Sequence, residues 1–123
     1  GVVDRVGRVT DPYDVNSLAV AAAFAALEDQ AYTNNYVSEV LRARDWIVLE
    51  MTRSRVVFHC DGGNYLLVWP ERPADEVEQA LRSRGILVRS MTGKPQLHGS
   101  LRVSIGTPEQ MQRFWRAYSS ICV

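Results

Sequence analysis

Ile86-Leu87-Val88-Arg89, a polar connection through Gly93-Lys94-Pro95 and Gly99, and then Leu101-Arg102-Val103-Ser104-Ile105-Gly106-Thr107-Pro108-Glu109 decide how the chain folds. Two short apolar runs of β-branched character flank a connection containing Gly, Pro and Ser, which is the pattern of two strands joined by a loop. Alternation sends Ile86 and Val88 one way and Leu87 and Arg89 the other, and sets Leu101, Val103 and Ile105 against Arg102 and Ser104. If the register allows it, both guanidinium groups share one sheet face. Each is a permanently charged fork that fits carboxylate or phosphate, so the pair makes a candidate anion site; taken alone, each is also an ordinary solvated arginine at a strand end. Past Gly106 a helix must start, with Thr107 as N-cap, Pro108 at the first helical position and Gln110 three residues after the cap.

Working outward, Gly85 stands where a left-handed cap would end a helix opened by Pro73. That helix has Val77, Ala80 and Leu81 as its inward stripe, and Asp75 and Glu76 suit its first turn. Upstream, Val56-Val57-Phe58-His59-Cys60 and Asn64-Tyr65-Leu66-Leu67-Val68-Trp69 flank Asp61-Gly62-Gly63, a hairpin by turn chemistry and β-propensity. The glycine pair lacks the lysine and the following helix of a phosphate loop, so it reads as a turn.

Two further helices precede the hairpin. Asn16 or Ser17 caps an alanine-rich one over 18–29, whose small side chains with Phe24 and Leu27 suit burial between layers. Thr33 or Asn34 caps the next, to about residue 50, with Val37, Val40, Leu41, Arg44 and Val48 near helical spacing and Trp46 as a large anchor. At the amino end Val3, Val6 and Val9 also stand at helical spacing, and the Asp11-Pro12 step breaks that segment. The last helix, over 108–119, buries Met111, Phe114, Trp115 and Tyr118 at i, i+3, i+4 and i+7. Together these elements predict one α+β domain over residues 1–123, a two-layer sandwich of helices on a small sheet of about four strands.

Composition narrows the functions. The 123 residues carry a formal net charge of zero, which gives no electrostatic reason to expect nucleic acid or an anionic membrane as partner. Two cysteines, Cys60 and Cys122, do not make a disulfide scaffold, and a reduced, cytoplasmic setting fits, with Cys60 a small core residue. His59, Cys60, His98 and Cys122 match no metal-ligand spacing. No run is long and apolar enough to span a bilayer, and the amino end lacks a signal-peptide layout.

The stretch from Leu101 to Glu109 resembles the end of histidinol-phosphate aminotransferases, pyridoxal-phosphate (PLP) enzymes of the aspartate aminotransferase fold type. Arg89 followed by a loop and Leu101-Arg102 belongs to the same resemblance, as do Pro12-Tyr13-Asp14-Val15-Asn16-Ser17 ahead of an alanine-rich helix and Asn64-Tyr65-Leu66-Leu67-Val68. The matches lie in the family's order and cover nearly the whole chain, yet they correspond only to the small C-terminal domain.

Several expectations follow from the resemblance. Arg102 would receive the α-carboxylate of an amino-acid substrate through a bidentate pair. Arg89 would help to hold the substrate's anionic end, such as the phosphate of a phosphorylated amino alcohol. PLP catalysis also needs a lysine to hold the aldehyde as a Schiff base, a carboxylate on the pyridinium nitrogen and groups that grip the phosphate. In the family all of these sit in a large domain, which is missing from this sequence. Lys94, the only lysine, lies in the loop between the two arginines and reads as solvated. The resemblance thus implies a fragment that alone neither holds PLP productively nor transaminates, partnered by a PLP-binding large domain and expected to form a homo-oligomer. The chain departs from the family at Asp14, where Asn is usual, and in the stretch between the second helix and Asn64, which lacks the family's usual glycine at the helix end. Two other readings differ in class: a free-standing module that binds a small anion or amino acid through the two arginines, and an interaction domain without a ligand.

Overall fold

The computed structural model describes residues 16–123. The expected segment over 2–9, its break at Pro12 and the Pro12-to-Val15 part of the resemblance lie outside them. The chain divides into two compact units, Gly1–Asn35 and Tyr36–Val123.

In the first unit, helix α1 spans Ser17–Glu28, capped by the Asn16 side chain, which accepts from the Ala19 N–H at 2.8 Å. None of its residues is buried, and Leu18 and Phe24 are exposed. Six alanines around the helix leave no single apolar stripe to drive one face into a core. Asp29 both ends α1 and starts the next helix, since its carboxylate accepts from the Tyr32 N–H at 3.0 Å. Helix α2 therefore runs over Gln30–Arg53 and begins earlier than expected. Thr33 is not a cap; its hydroxyl donates to the Ala26 and Asp29 carbonyls, as a threonine inside a helix does.

In the second unit, β1 (Val57–His59), β2 (Tyr65–Trp69), α3 (Ala74–Arg82), β3 (Arg89–Ser90), β4 (Leu101–Ser104) and α4 (Pro108–Cys122) follow in order. The four strands form one antiparallel sheet in the order β1-β2-β4-β3. The structure is thus an α+β fold, with helices on one face of a four-stranded sheet.

The inner face carries Phe58, Leu66, Val68, Leu101 and Val103, which cluster with Ala43, Ile47 and Met51 of α2, Val77 and Leu81 of α3, and Met111, Phe114, Trp115 and Tyr118 of α4. The stripe on α4 is as expected. On α2 the buried stripe is rotated: Ala43, Ile47 and Met51 are buried, Val40 and Trp46 partly so, and Val37 and Leu41 are exposed. Both stripes fit a 3.6-residue period, and small Ala43 lets the helix approach the sheet.

Both ends of the decisive stretch are built from side-chain and backbone caps. Past α3, the Gly85 N–H donates to the Arg82 carbonyl and the Ile86 N–H to the Leu81 carbonyl, with Gly85 left-handed at φ 70°. This is a Schellman closure of the kind the glycine predicted. Pro73 precedes α3 as its cap residue instead of forming its first turn. At α4, Thr107 and Gln110 form a full capping box, the Thr107 N–H donating to Gln110 Oε1 at 3.0 Å. The helix continues three residues beyond the expected end. No helix among the described residues is long and apolar enough to cross a membrane.

Candidate anion-binding site

The expected strand over 86–89 is only Arg89–Ser90, because residues 86–88 diverge from β4 and leave a cavity of about 490 Å³ against residues 103–106. What pairing survives still decides the site. Arg89 lies directly opposite Arg102, and residues opposite one another share a face. Arg102 in turn lies opposite Leu67 of β2, and Leu67 opposite His59 of β1. One row thus crosses the sheet on the face away from the helices: His59, Leu67, Arg102, Arg89. Leu67 is buried on that face too, at 7% exposure, so Arg102 rises from an apolar floor.

Among the described residues no hydrogen bond or ion pair engages the guanidinium of Arg102 or of Arg89. Two permanently charged residues thus stand at opposed positions on one face. Like charges directly opposite repel, and an anion between or above them relieves that repulsion. Arg102 is half-buried and Arg89 exposed, so a fork-to-fork bond would gain more at Arg102, where solvent screens less. It stands between two clefts. One, about 720 Å³, is lined by His59, Asp61, Tyr65, Leu67, Met91, Leu97 and Arg102; the other, about 210 Å³, includes both arginines.

The connection between the strands is a series of turns. The Met91 N–H donates to the Ser100 carbonyl at its base, and the N–H groups of Lys94, Leu97 and Ser100 donate to the carbonyls of Met91, Lys94 and Leu97. Gly93 and Gly99 take the left-handed positions at φ 82° and 77°. The hydroxyls of Ser90 and Thr92 hold the Asp75 carboxyl below its ordinary value of 3.8, and the Ser90 N–H donates to Glu78 at 3.3 Å. Both contacts anchor the loop to α3.

PLP requires a lysine facing its site. Lys94 is exposed in this loop and does not line the cleft before Arg102. Neither cleft beside Arg102 is lined by a lysine that could hold the PLP aldehyde. Of the other residues weighed from the sequence, Cys60 packs against the core, and Cys122 sits beside Tyr118. The described residues include no group of three or more His, Cys, Asp or Glu placed to hold a metal ion. Glu109 has its carboxyl held below the ordinary 4.5 by its own backbone N–H and the Thr107 hydroxyl, as its helix N-terminus implies. Sequence reasoning missed Tyr65, whose ring lies 4.5 Å from the Arg102 guanidinium carbon, and His59 and Asp61 in the larger cleft. Tyr65 is two residues from Leu67 and so on the same face, a relation that becomes visible only with the register.

Helices on one face of a four-stranded antiparallel sheet define the class, an α+β layer, and the chain's sequence says to which family it belongs. The profile for aminotransferase class I and II matches residues 1–117, and the chain belongs to that family. Within it, the chain is similar to the histidinol-phosphate aminotransferase of Geotalea uraniireducens, 37% identical over 121 residues, covering 98% of this chain and 35% of that protein. Histidinol-phosphate aminotransferase 2 of Pseudomonas aeruginosa is also 37% identical, over 127 residues, with 98% of this chain and 32% of that protein covered.

Two solved structures share the fold. The histidinol-phosphate aminotransferase of Clostridium acetobutylicum superposes at a TM-score of 0.74 with 18% identity, covering 98% of this chain and 37% of that one. That of Sinorhizobium meliloti, in complex with pyridoxal 5'-phosphate, superposes at 0.70 with 21% identity, covering 96% and 34%. The chain spans about a third of the length of the relatives it matches.

Proposed function

We propose that this chain is the C-terminal, substrate-gripping domain of a histidinol-phosphate aminotransferase-like enzyme, and that a PLP-binding large domain completes its site. The observation that carries the reading is the opposed pair Arg89 and Arg102 on one sheet face, whose guanidiniums make no hydrogen bond or ion pair among the described residues. Arg102 takes the carboxylate of an amino-acid substrate by a bidentate pair and, where the substrate carries a phosphate in place of that carboxylate, grips the phosphate together with Arg89. Arg89 adds the second positive group for that anionic end, such as the phosphate of a phosphorylated amino alcohol. PLP held by that large domain would supply an aldehyde to carry the amino group and a pyridinium ring to withdraw electrons, while the residues of this chain would bind and orient the substrate.

The test is a titration of the purified chain with histidinol phosphate and separately with PLP, following binding heat and cofactor absorbance. The expected result is no stable absorbance change with PLP, together with weak histidinol-phosphate binding that Arg102→Ala abolishes. A stable PLP absorbance band, or tight histidinol-phosphate binding that is indifferent to Arg102, would overturn the reading in favour of a domain with a function of its own.

A further inference from the structure

We propose that Tyr65 is a positioning residue for Arg102, its ring setting the guanidinium before an anion arrives; this rests on the reading of Arg102 as the anion receptor. The β2–β4 register pairs Tyr65 with Ser104 and Leu67 with Arg102, which makes Tyr65 the diagonal neighbour of Arg102 on the outer face. Diagonal neighbours are within reach of an aromatic ring and a long side chain, and the Arg102 guanidinium carbon lies 4.5 Å from the ring centroid.

The ring is also seated against the β1–β2 turn. A Cβ at Gly63 would lie 3.1 Å from Tyr65 Cε1 and 3.4 Å from Cδ1. The ring therefore stands against a residue with no side chain, and a methyl there would push it. Gly63, Tyr65 and Arg102 form a line of contact from the β1–β2 turn to the edge of the larger cleft, which all three help to line.

Stacking on the ring uses the cation's attraction to the π-face and none of its N–H donors. Arginine otherwise has many rotamers to lose when it grips a ligand, and a guanidinium already parked on a ring loses fewer. Phenylalanine offers the same face, so the phenol oxygen is dispensable, and an aliphatic side chain is not a substitute.

The test uses the ¹⁵N-labelled chain and inorganic phosphate as probe. In the wild type the Arg102 Nε–Hε resonance should be displaced by the ring current of Tyr65. Tyr65→Phe should keep that displacement and the phosphate affinity. Tyr65→Leu should return the resonance toward those of exposed arginines and weaken phosphate binding roughly three- to fivefold. Gly63→Ala, which leaves both partners in place, should shift the same resonance and weaken binding by a smaller factor. An Arg102 resonance that Tyr65→Leu leaves unmoved, or phosphate affinity equal in Tyr65→Leu and wild type, would overturn the proposal. Absent phosphate binding, or binding undiminished in Arg102→Ala, would instead overturn the underlying reading of Arg102.

Discussion

Arg113, on α4, donates from one guanidinium nitrogen to the Arg84 carbonyl at 3.1 Å, in the turn that ends α3. Arg84 returns the contact, donating to the Ala117 carbonyl at 2.9 Å and the Ser120 hydroxyl at 2.6 Å. The turn between them is pinned to α4 from both directions, and its left-handed residue is Gly85. Gly85→Ala should destabilise the fold by about 1–2 kcal/mol, chiefly the cost of a Cβ at positive φ. The new methyl also meets Arg113 Nη2 at 3.0 Å, but that is a movable side-chain end. Urea unfolding should show a lower midpoint at unchanged slope, and Gly85→Asn should recover part of the loss.

Arg102→Lys retains the charge and removes the fork. Histidinol-phosphate affinity should fall about tenfold. Arg89→Ala should cost less, and that loss should shrink between 50 mM and 500 mM salt, because Arg89 is exposed. Calorimetric titration at both salt concentrations separates the two; equal, salt-independent losses would contradict the asymmetry between the arginines.

Alkaline pH should weaken the fold through Tyr118 and Cys122. Burial, and then the neighbouring Cys122, push the Tyr118 phenol well above its ordinary 10.0; burial also pushes the Cys122 thiol above 9.0. Raised values mean that the folded chain keeps protons that the unfolded chain releases. Stability contributed by these neutral groups is complete below about pH 9, then declines as pH rises through the unfolded-state values toward the folded ones. The urea midpoint should be flat from pH 7 to 8.5 and fall above 9. Tyr118→Phe should flatten the part of the fall that lies above pH 10.

Gly106→Ala should disturb the start of α4 without replacing either partner of its capping box. A Cβ at that position collides with the Gln110 side-chain oxygen, the atom that accepts from the Thr107 N–H. Gln110 can swing away, so the cost is the lost cap bond, about 0.5–1 kcal/mol. A double substitution with Gln110→Ala should be less than additive.

How much of this was legible in the sequence depended on whether a pattern admitted one solution. Thr107-Pro108 with Gln110 has a single mechanical reading, and the aromatic spacing after it fixes one buried face, so α4 emerged as expected. Alternation left the two arginines free to share one face, and the register, which sets Arg89 opposite Arg102, is what places them there. Helix α2 offered two stripes at the same period, and the one chosen held the larger side chains. The sheet instead accepted Ala43, whose smallness is what close packing uses and what makes it inconspicuous. Asp29 was missed as a cap because a helix that ends and restarts at one residue leaves no gap between two periodic segments. Tyr65 was legible as a strand residue but not as a neighbour of Arg102, since that relation requires the register between strands 33 or more residues apart in sequence.

The two outermost strands are three and two residues long. A neighbouring chain seeking to continue the sheet would find almost no ladder to extend at either side, and a strand added to so short a template gains few backbone bonds. Whatever association the exposed side chains of α1 promote, growth of the sheet from molecule to molecule is not its route.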